Sequence, residues 1–250
     1  MLENLTGLVI QEVDYADSDR IITILTEKGR ISARVPGGRK IKSKKLAGTN
    51  LFCYSHFSVH ERQGRRMVTQ VELVESFFRL RERVETASLA YYIAQLCYSV
   101  TEENLESNSV LRLTLNTLYM LTRPGADCEK IKAVYELRLL SLTGHMPDLV
   151  GCRECGAYQG EMWFLPEEGR LVCEDCAAPE DREQGVRLNG TVLTALRYIL
   201  YSEDGEIFRF HISPENQRYL GVVTERYALY RLDRHFSTLE FYKSVSQTEN

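Results

Sequence analysis

Two pairs of thiols stand at Cys152-Arg153-Glu154-Cys155 and Cys173-Glu174-Asp175-Cys176, each pair straddling two residues and the pairs separated by seventeen. That spacing suits a four-thiolate zinc site, in which two knuckles present four sulfurs tetrahedrally at roughly 2.3 Å from one ion. Four thiolates leave no position for water, so the expected role is structural. Binding on the order of 10 kcal/mol would hold a loop too rich in Glu, Gly and Pro to fold alone. Disulfides fit less well, because seven cysteines is an odd count and Met1-Leu2-Glu3-Asn4 lacks the features of a signal peptide. A deaminase-type zinc site needs His-x-Glu and Pro-Cys-x-x-Cys, and neither is present.

A second chemistry lies upstream. Between Lys28 and His60 there is no acidic residue, and the window holds Lys28, Arg30, Arg34, Arg39, Lys40, Lys42, Lys44 and Lys45. Five of these cations follow Pro36-Gly37-Gly38, where glycine lets backbone approach a polyanion. A solvated surface loop is one reading. The other is a phosphate track, with Phe52, Tyr54, His56 and Phe57 on the next strand as rings on which bases could stack, although alternation must send some of them into the core. Nothing in the stretch reads base edges, so little sequence preference is expected. Arg226, Arg231 and Arg234 form a weaker cationic run, expected to be salt-bridged. The five histidines are scattered singly, and His145, His211 and His235 read as capping or packing residues. Neither Gly-x-x-x-x-Gly-Lys-Ser/Thr nor Gly-x-Ser-x-Gly occurs, which argues against an NTPase or a serine hydrolase.

The elements that must position these groups change character along the chain. Leu5 to Val13, Arg20 to Thr26, Arg30 to Val35, Leu51 to Val59 and Met67 to Val74 read as strands separated by turn residues. Five short strands suggest a closed barrel of OB type, since closure removes exposed edges. Helical spacing then takes over in Glu82 to Thr101, Ser109 to Leu121 and Glu129 to Thr143. After the cysteines, Asn189 and Ser213-Pro214 are expected to cap two further helices. The tail from Ser244 is polar and expected to fray.

Charge divides along the same line. Residues 1–80 carry thirteen Lys/Arg against nine Asp/Glu, or +4, and the remainder eighteen against twenty-six, or −8, for the overall −4. Halves with different partners are implied. No apolar run reaches the length of a membrane span, and a reducing cytoplasm is the expected compartment.

With these residues in view, the chain resembles the RecO family of bacterial recombination and repair mediators. The resemblance rests on Asp17-Ser18-Asp19-Arg20-Ile21-Ile22-Thr23, Thr26-Glu27-Lys28-Gly29-Arg30-Ile31 and Gly37-Gly38-Arg39-Lys40, followed by Lys42-Ser43. It continues in Tyr135-Glu136-Leu137-Arg138-Leu139-Leu140 and Gly144-His145-Met146-Pro147-Asp148-Leu149, leading into Cys152-x-x-Cys155-Gly156. Glu168 stands ahead of Gly169 where relatives often have two glycines. The resemblance implies an OB domain, a helical domain and a zinc module within it. It also implies binding of single- and double-stranded DNA, strand annealing, and partnership with RecR. Contact with the acidic C-terminal tail of single-stranded DNA-binding protein (SSB) and assistance in loading RecA are implied too, with RecF as a possible further partner.

The expected architecture is multidomain, β then α. Residues 1–80 form an OB-fold nucleic-acid-binding domain, 81–148 and 186–243 two parts of a helical domain, 149–185 an inserted four-cysteine, zinc-ribbon-like module, and 244–250 a polar tail. Zinc would sit on Cys152, Cys155, Cys173 and Cys176. DNA would meet Arg30, Arg34, Arg39, Lys40, Lys42, Lys44 and Lys45, and no catalytic residue is expected. The competing readings are an RNA-binding factor with the same two modules and a zinc hydrolase or deaminase with an open metal position.

Overall fold

The structure, a computed structural model, describes residues 2–40, 42, 43 and 45–246. Five strands open the chain: β1 (Leu2–Tyr15), β2 (Asp19–Thr26), β3 (Gly29–Val35), β4 (Cys53–Arg62) and β5 (Arg65–Ser76), with a one-turn helix α1 (Leu46–Thr49) between β3 and β4. They close as a barrel in the order β1-β2-β3-β5-β4, the five-stranded Greek-key arrangement of the OB fold. The first half of β1 pairs with β4 and its second half with β2, which one strand of this length can do only by bending. A bulge between Val9 and Gln11 supplies the bend.

Period-2 alternation fills the barrel. Val9, Ile22, Ile24, Ala33, Val35, Phe57, Val59 and Val68 point inward and bury almost completely. At the β2–β3 turn, Gly29 has φ +103°, and a Cβ there would lie 2.2 Å from the Glu102 carbonyl. Only glycine fits, because Arg30 N–H donates to that same carbonyl at 3.1 Å.

The helices α2 (Val84–Val100), α3 (Asn108–Leu121) and α4 (Cys128–Leu142) follow, all within a residue or two of expectation. Beyond them lie β6 (Asp148–Cys152), β7 (Met162–Leu165), β8 (Arg170–Cys173), α5 (Pro179–Gln184), β9 (Val186–Leu188), α6 (Gly190–Tyr201), α7 (Pro214–Leu232) and α8 (Ser237–Ser246). Asn189 and Ser213 cap α6 and α7, accepting from the N–H groups of Val192 and Asn216. The final helix α8 was not expected. It runs past Ser244 because Leu239 and Tyr242 bury their side chains, so the polar composition of the tail is a poor guide up to Ser246.

Two compact units result: one holds the residues through Pro124 together with those from Thr238, the other Gly125–Ser237. In the second unit, β6, β8, β7 and β9 form a four-stranded sheet in that order. There α4 and α7 share an ionic cluster centred on a buried lysine. Lys132 Nζ lies 2.9 Å from Glu136 Oε1 and 2.8 Å from Glu225 Oε2, and Thr224 Oγ1 donates to Glu136 at 2.7 Å. Among the described residues, no helix is long and apolar enough to cross a membrane.

Candidate nucleic-acid interface and metal centre

The four cysteines come together. Cys152 ends β6, Cys173 ends β8, and Cys155 and Cys176 close the turns that follow, so that all four sulfurs lie within 4.8 Å of one another. Backbone bonds shape each turn: Gly156 N–H donates to Cys152 O at 2.9 Å, and Cys176 and Ala177 N–H donate to Cys173 O at 3.1 and 2.9 Å. Cys155 and Cys173 sulfurs are 3.6 Å apart, close to the edge of about 3.8 Å that a tetrahedron with 2.3 Å metal–sulfur bonds requires. The cluster could therefore hold a metal ion.

The thiols are electrostatically unequal. Burial pushes Cys152 up, but N–H groups of Cys173, Cys155 and Glu154 outweigh it and bring the thiol down to about 6. Hydrogen bonding to Cys173 and Cys155 pushes Cys176 up to about 12. The Cys152 sulfur is thus the readier to coordinate near neutral pH, while Cys176 must lose its proton to the incoming ion.

The module is tied down on two sides. Trp163 Nε1 donates to Glu174 at 2.8 Å, and Phe164 packs edge-on against Tyr227 with centroids 5.3 Å apart. Arg197 of α6 donates to the carbonyls of Leu149, Val150 and Tyr158 at 2.7, 3.0 and 3.0 Å while stacking on the Tyr158 ring. Glu168 is accommodated without a second glycine. Of these two residues only Gly169 takes a left-handed φ, +68°, and the Glu168 carboxylate pairs with Arg170 at 2.6 Å.

The seven cations expected to meet DNA separate into distinct environments. Arg34 is half exposed and paired with Asp19. Arg39 pairs with Asp14 at 3.2 Å. Lys45 donates to the Val68 carbonyl at 2.9 Å. Arg30 is drawn inward, its guanidinium 3.8 Å from the Tyr98 ring centroid. Lys40 and Lys42 are exposed and have no carboxylate within 4.0 Å among the described residues. Lys44 lies outside the described residues.

The expected aromatic platform on β4 is not there. Phe57 fills the barrel core, Phe52 is buried edge-on against Tyr91, and Tyr54 is half-buried. His56 alone of the four is exposed, bonded to Thr6 Oγ1 at 2.8 Å. Inward alternation takes the phenylalanine that proximity to the lysines had suggested for stacking.

Sequence reading missed Tyr15, exposed at the end of β1, and Arg62 and Arg65 at the tip of the β4–β5 hairpin. The signal was present, since Tyr15 follows Val13 at the outward spacing of two. Arg226 and Arg231, expected to be salt-bridged, instead engage the Gln184 carbonyl and the Tyr227 hydroxyl and ring.

Comparison with known proteins agrees with this architecture. The family model for the N-terminal part of recombination protein O matches residues 1–77, and that for its C-terminal part residues 81–240. A DNA repair protein RecO of Acetivibrio thermocellus is 33% identical over 244 residues, covering 97% of this chain and 96% of that protein. One of Alkaliphilus metalliredigens is 32% identical over 248 residues, covering 98% and 100%. One of Symbiobacterium thermophilum is 30% identical over 248 residues, covering 96% of each.

Proposed function

The chain belongs to the RecO family, and from that premise we propose that it is a non-enzymatic DNA repair and recombination mediator that binds and anneals single strands. With RecR it would help load RecA onto DNA coated by SSB, contacting the acidic SSB tail through its helical part. The observation that carries the reading is a set of exposed cations without carboxylate partners among the described residues, Lys40 and Lys42 after β3 and Arg62 and Arg65 on the β4–β5 hairpin, around an OB barrel. Barrels of this fold take oligonucleotides on the β2–β3 face and the adjoining loops.

Annealing needs no nucleophile. Two phosphate backbones repel, and a cationic loop that screens both lowers that repulsion. Lys40, Lys42, Lys44 and Lys45 would carry most of this screening. Arg34 and Arg39, each holding its own carboxylate, would contribute geometry more than net charge, and Arg30 would steady the barrel against α2. The four cysteines would hold zinc, closing β6 onto β8 and leaving no coordination position for substrate.

The test is reversal of Lys40, Lys42 and Lys44 together. Annealing of complementary oligonucleotides is expected to be lost while the melting temperature stays within a few degrees. Single-strand affinity of the unaltered chain, with about five phosphates engaged, is expected to fall ~100-fold between 50 and 200 mM salt. Unaltered annealing by the reversed variant would sink the proposal.

A further inference from the structure

The outside of the barrel carries a row of side chains that its own fold does not need. Strand register sets Val13 of β1 beside Ile21 of β2, Ile21 beside Arg34 of β3, and Arg34 beside Met67 of β5. Val13 is 53% exposed, Met67 39%, and Tyr15, two residues beyond Val13 on the same face, 47%. The inward neighbours Ile22, Val35 and Val68 already fill the core. Solvent-facing positions on a barrel are ordinarily polar, and apolar side chains exposed together mark a binding surface.

What would cover this row is decided by charge and shape. The Arg34 guanidinium lies over the Tyr15 ring, 5.4 Å from its centroid, and is held there by Asp19, whose Oδ2 accepts from Arg34 Nε at 2.7 Å. Because Asp19 offsets its charge, Arg34 contributes chiefly a planar group. A ring and a guanidinium plane, flanked by small apolar side chains, suit flat apolar ligands bounded by negative charge. The flanking cations Lys40, Lys42 and Arg65 supply the complement to such charge. Asp17, alone of the three acids around the β1–β2 turn, has no cation partner among the described residues, so negative charge is not wholly absent.

We infer that the Tyr15–Arg34 pair, with Val13, Ile21 and Met67, is a stacking platform for unpaired nucleobases, which adds affinity for single-stranded DNA that a duplex does not gain. This rests on the DNA-binding reading above and adds to it a division of labour. The lysine loop grips phosphates and serves either form of DNA. The platform takes bases, which a duplex keeps stacked and out of reach.

The experiment measures binding of three labelled probes of equal length: a single-stranded oligonucleotide, the same backbone without bases, and a duplex. The full chain is compared with Tyr15→Ala, Tyr15→Phe and Lys40→Glu/Lys42→Glu. Tyr15→Ala is expected to weaken the based single strand by about 5- to 140-fold, or ~1–3 kcal/mol at 1.4 kcal/mol per tenfold. Its salt slope, and binding to the duplex and the abasic strand, should not change, and Tyr15→Phe should retain affinity. Lys40→Glu/Lys42→Glu should weaken all three probes. Should Tyr15→Ala leave the based strand unaffected while the lysine variant weakens it, the row does not take bases and the inference is overturned. Equal losses by Tyr15→Ala on all three probes overturn it too. No response from the lysine variant on any probe would instead overturn the DNA-binding reading.

Discussion

One carboxylate of Asp19 joins two parts of the barrel edge: Oδ2 accepts from Arg34 Nε at 2.7 Å, and Oδ1 accepts from the Gly37 N–H at 2.7 Å. The first bond orients a half-exposed guanidinium on β3. The second anchors the base of the lysine loop at the residue where φ turns to +63°. An acid at the start of β2 thereby positions a cation and a cationic loop.

The Asp19 carboxyl is held below its ordinary 3.8, chiefly by the Gly37 N–H and then by Arg34. Its folded-state value being lowered, the stabilisation it brings is complete above that ordinary value and is lost as pH falls through the folded one. Carboxyl-carbon NMR titration is expected to show the lowered midpoint. In Arg34→Ala the midpoint should rise only part of the way, because the larger contribution from Gly37 remains. Full return to the ordinary value would show that the loop bond does not form.

Lys132 serves two carboxylates, the buried Glu136 and the partly buried Glu225. Burial opposes the lysine's charge, but attraction to both carboxylates outweighs it and holds the ammonium above its ordinary 10.5. Its contribution is therefore intact below that value and is lost as pH rises through the raised one. Replacing it by Met strands negative charge between α4 and α7. Denaturant unfolding of Lys132→Met is expected to show a loss of ~3–5 kcal/mol, and a change under ~1 kcal/mol would mean that the cluster is not buried in solution.

Removal of metal should act on the second unit and leave barrel contacts alone. Strong chelation, or Cys173→Ser, is expected to abolish metal content by mass spectrometry and to shift Trp163 emission, since that ring is bonded to Glu174 inside the second knuckle. Metal-edge spectroscopy should find four sulfur ligands. An oxygen or nitrogen ligand would reopen the hydrolase reading.

Arg197 joins the cysteine module to α6 through three carbonyls. Arg197→Ala is expected to cost about 1–3 kcal/mol of stability and to speed metal loss to a competing chelator. Arg197→Lys should recover little, because one ammonium cannot reach three acceptors and stack on Tyr158 at once.

Much of this molecule was legible in the chain. The turn residues and alternation placed five strands, Asn189 and Ser213 started their helices, and two Cys-x-x-Cys pairs named their own cluster, because each of these signals is local and set by neighbours a few residues apart. What the fold alone decided were the partners. Whether Arg30 faces solvent or Tyr98, whether Phe57 stacks a base or fills the barrel, and whether Lys132 is a surface charge or a buried one depend on residues tens of positions away. The charge run after Val35 announced a cationic loop, but only the register across β1, β2, β3 and β5 brought Tyr15, Arg34 and Met67 onto one face. Side-chain type is written along the chain, whereas the company each side chain keeps is set by which strands close and which helices pack.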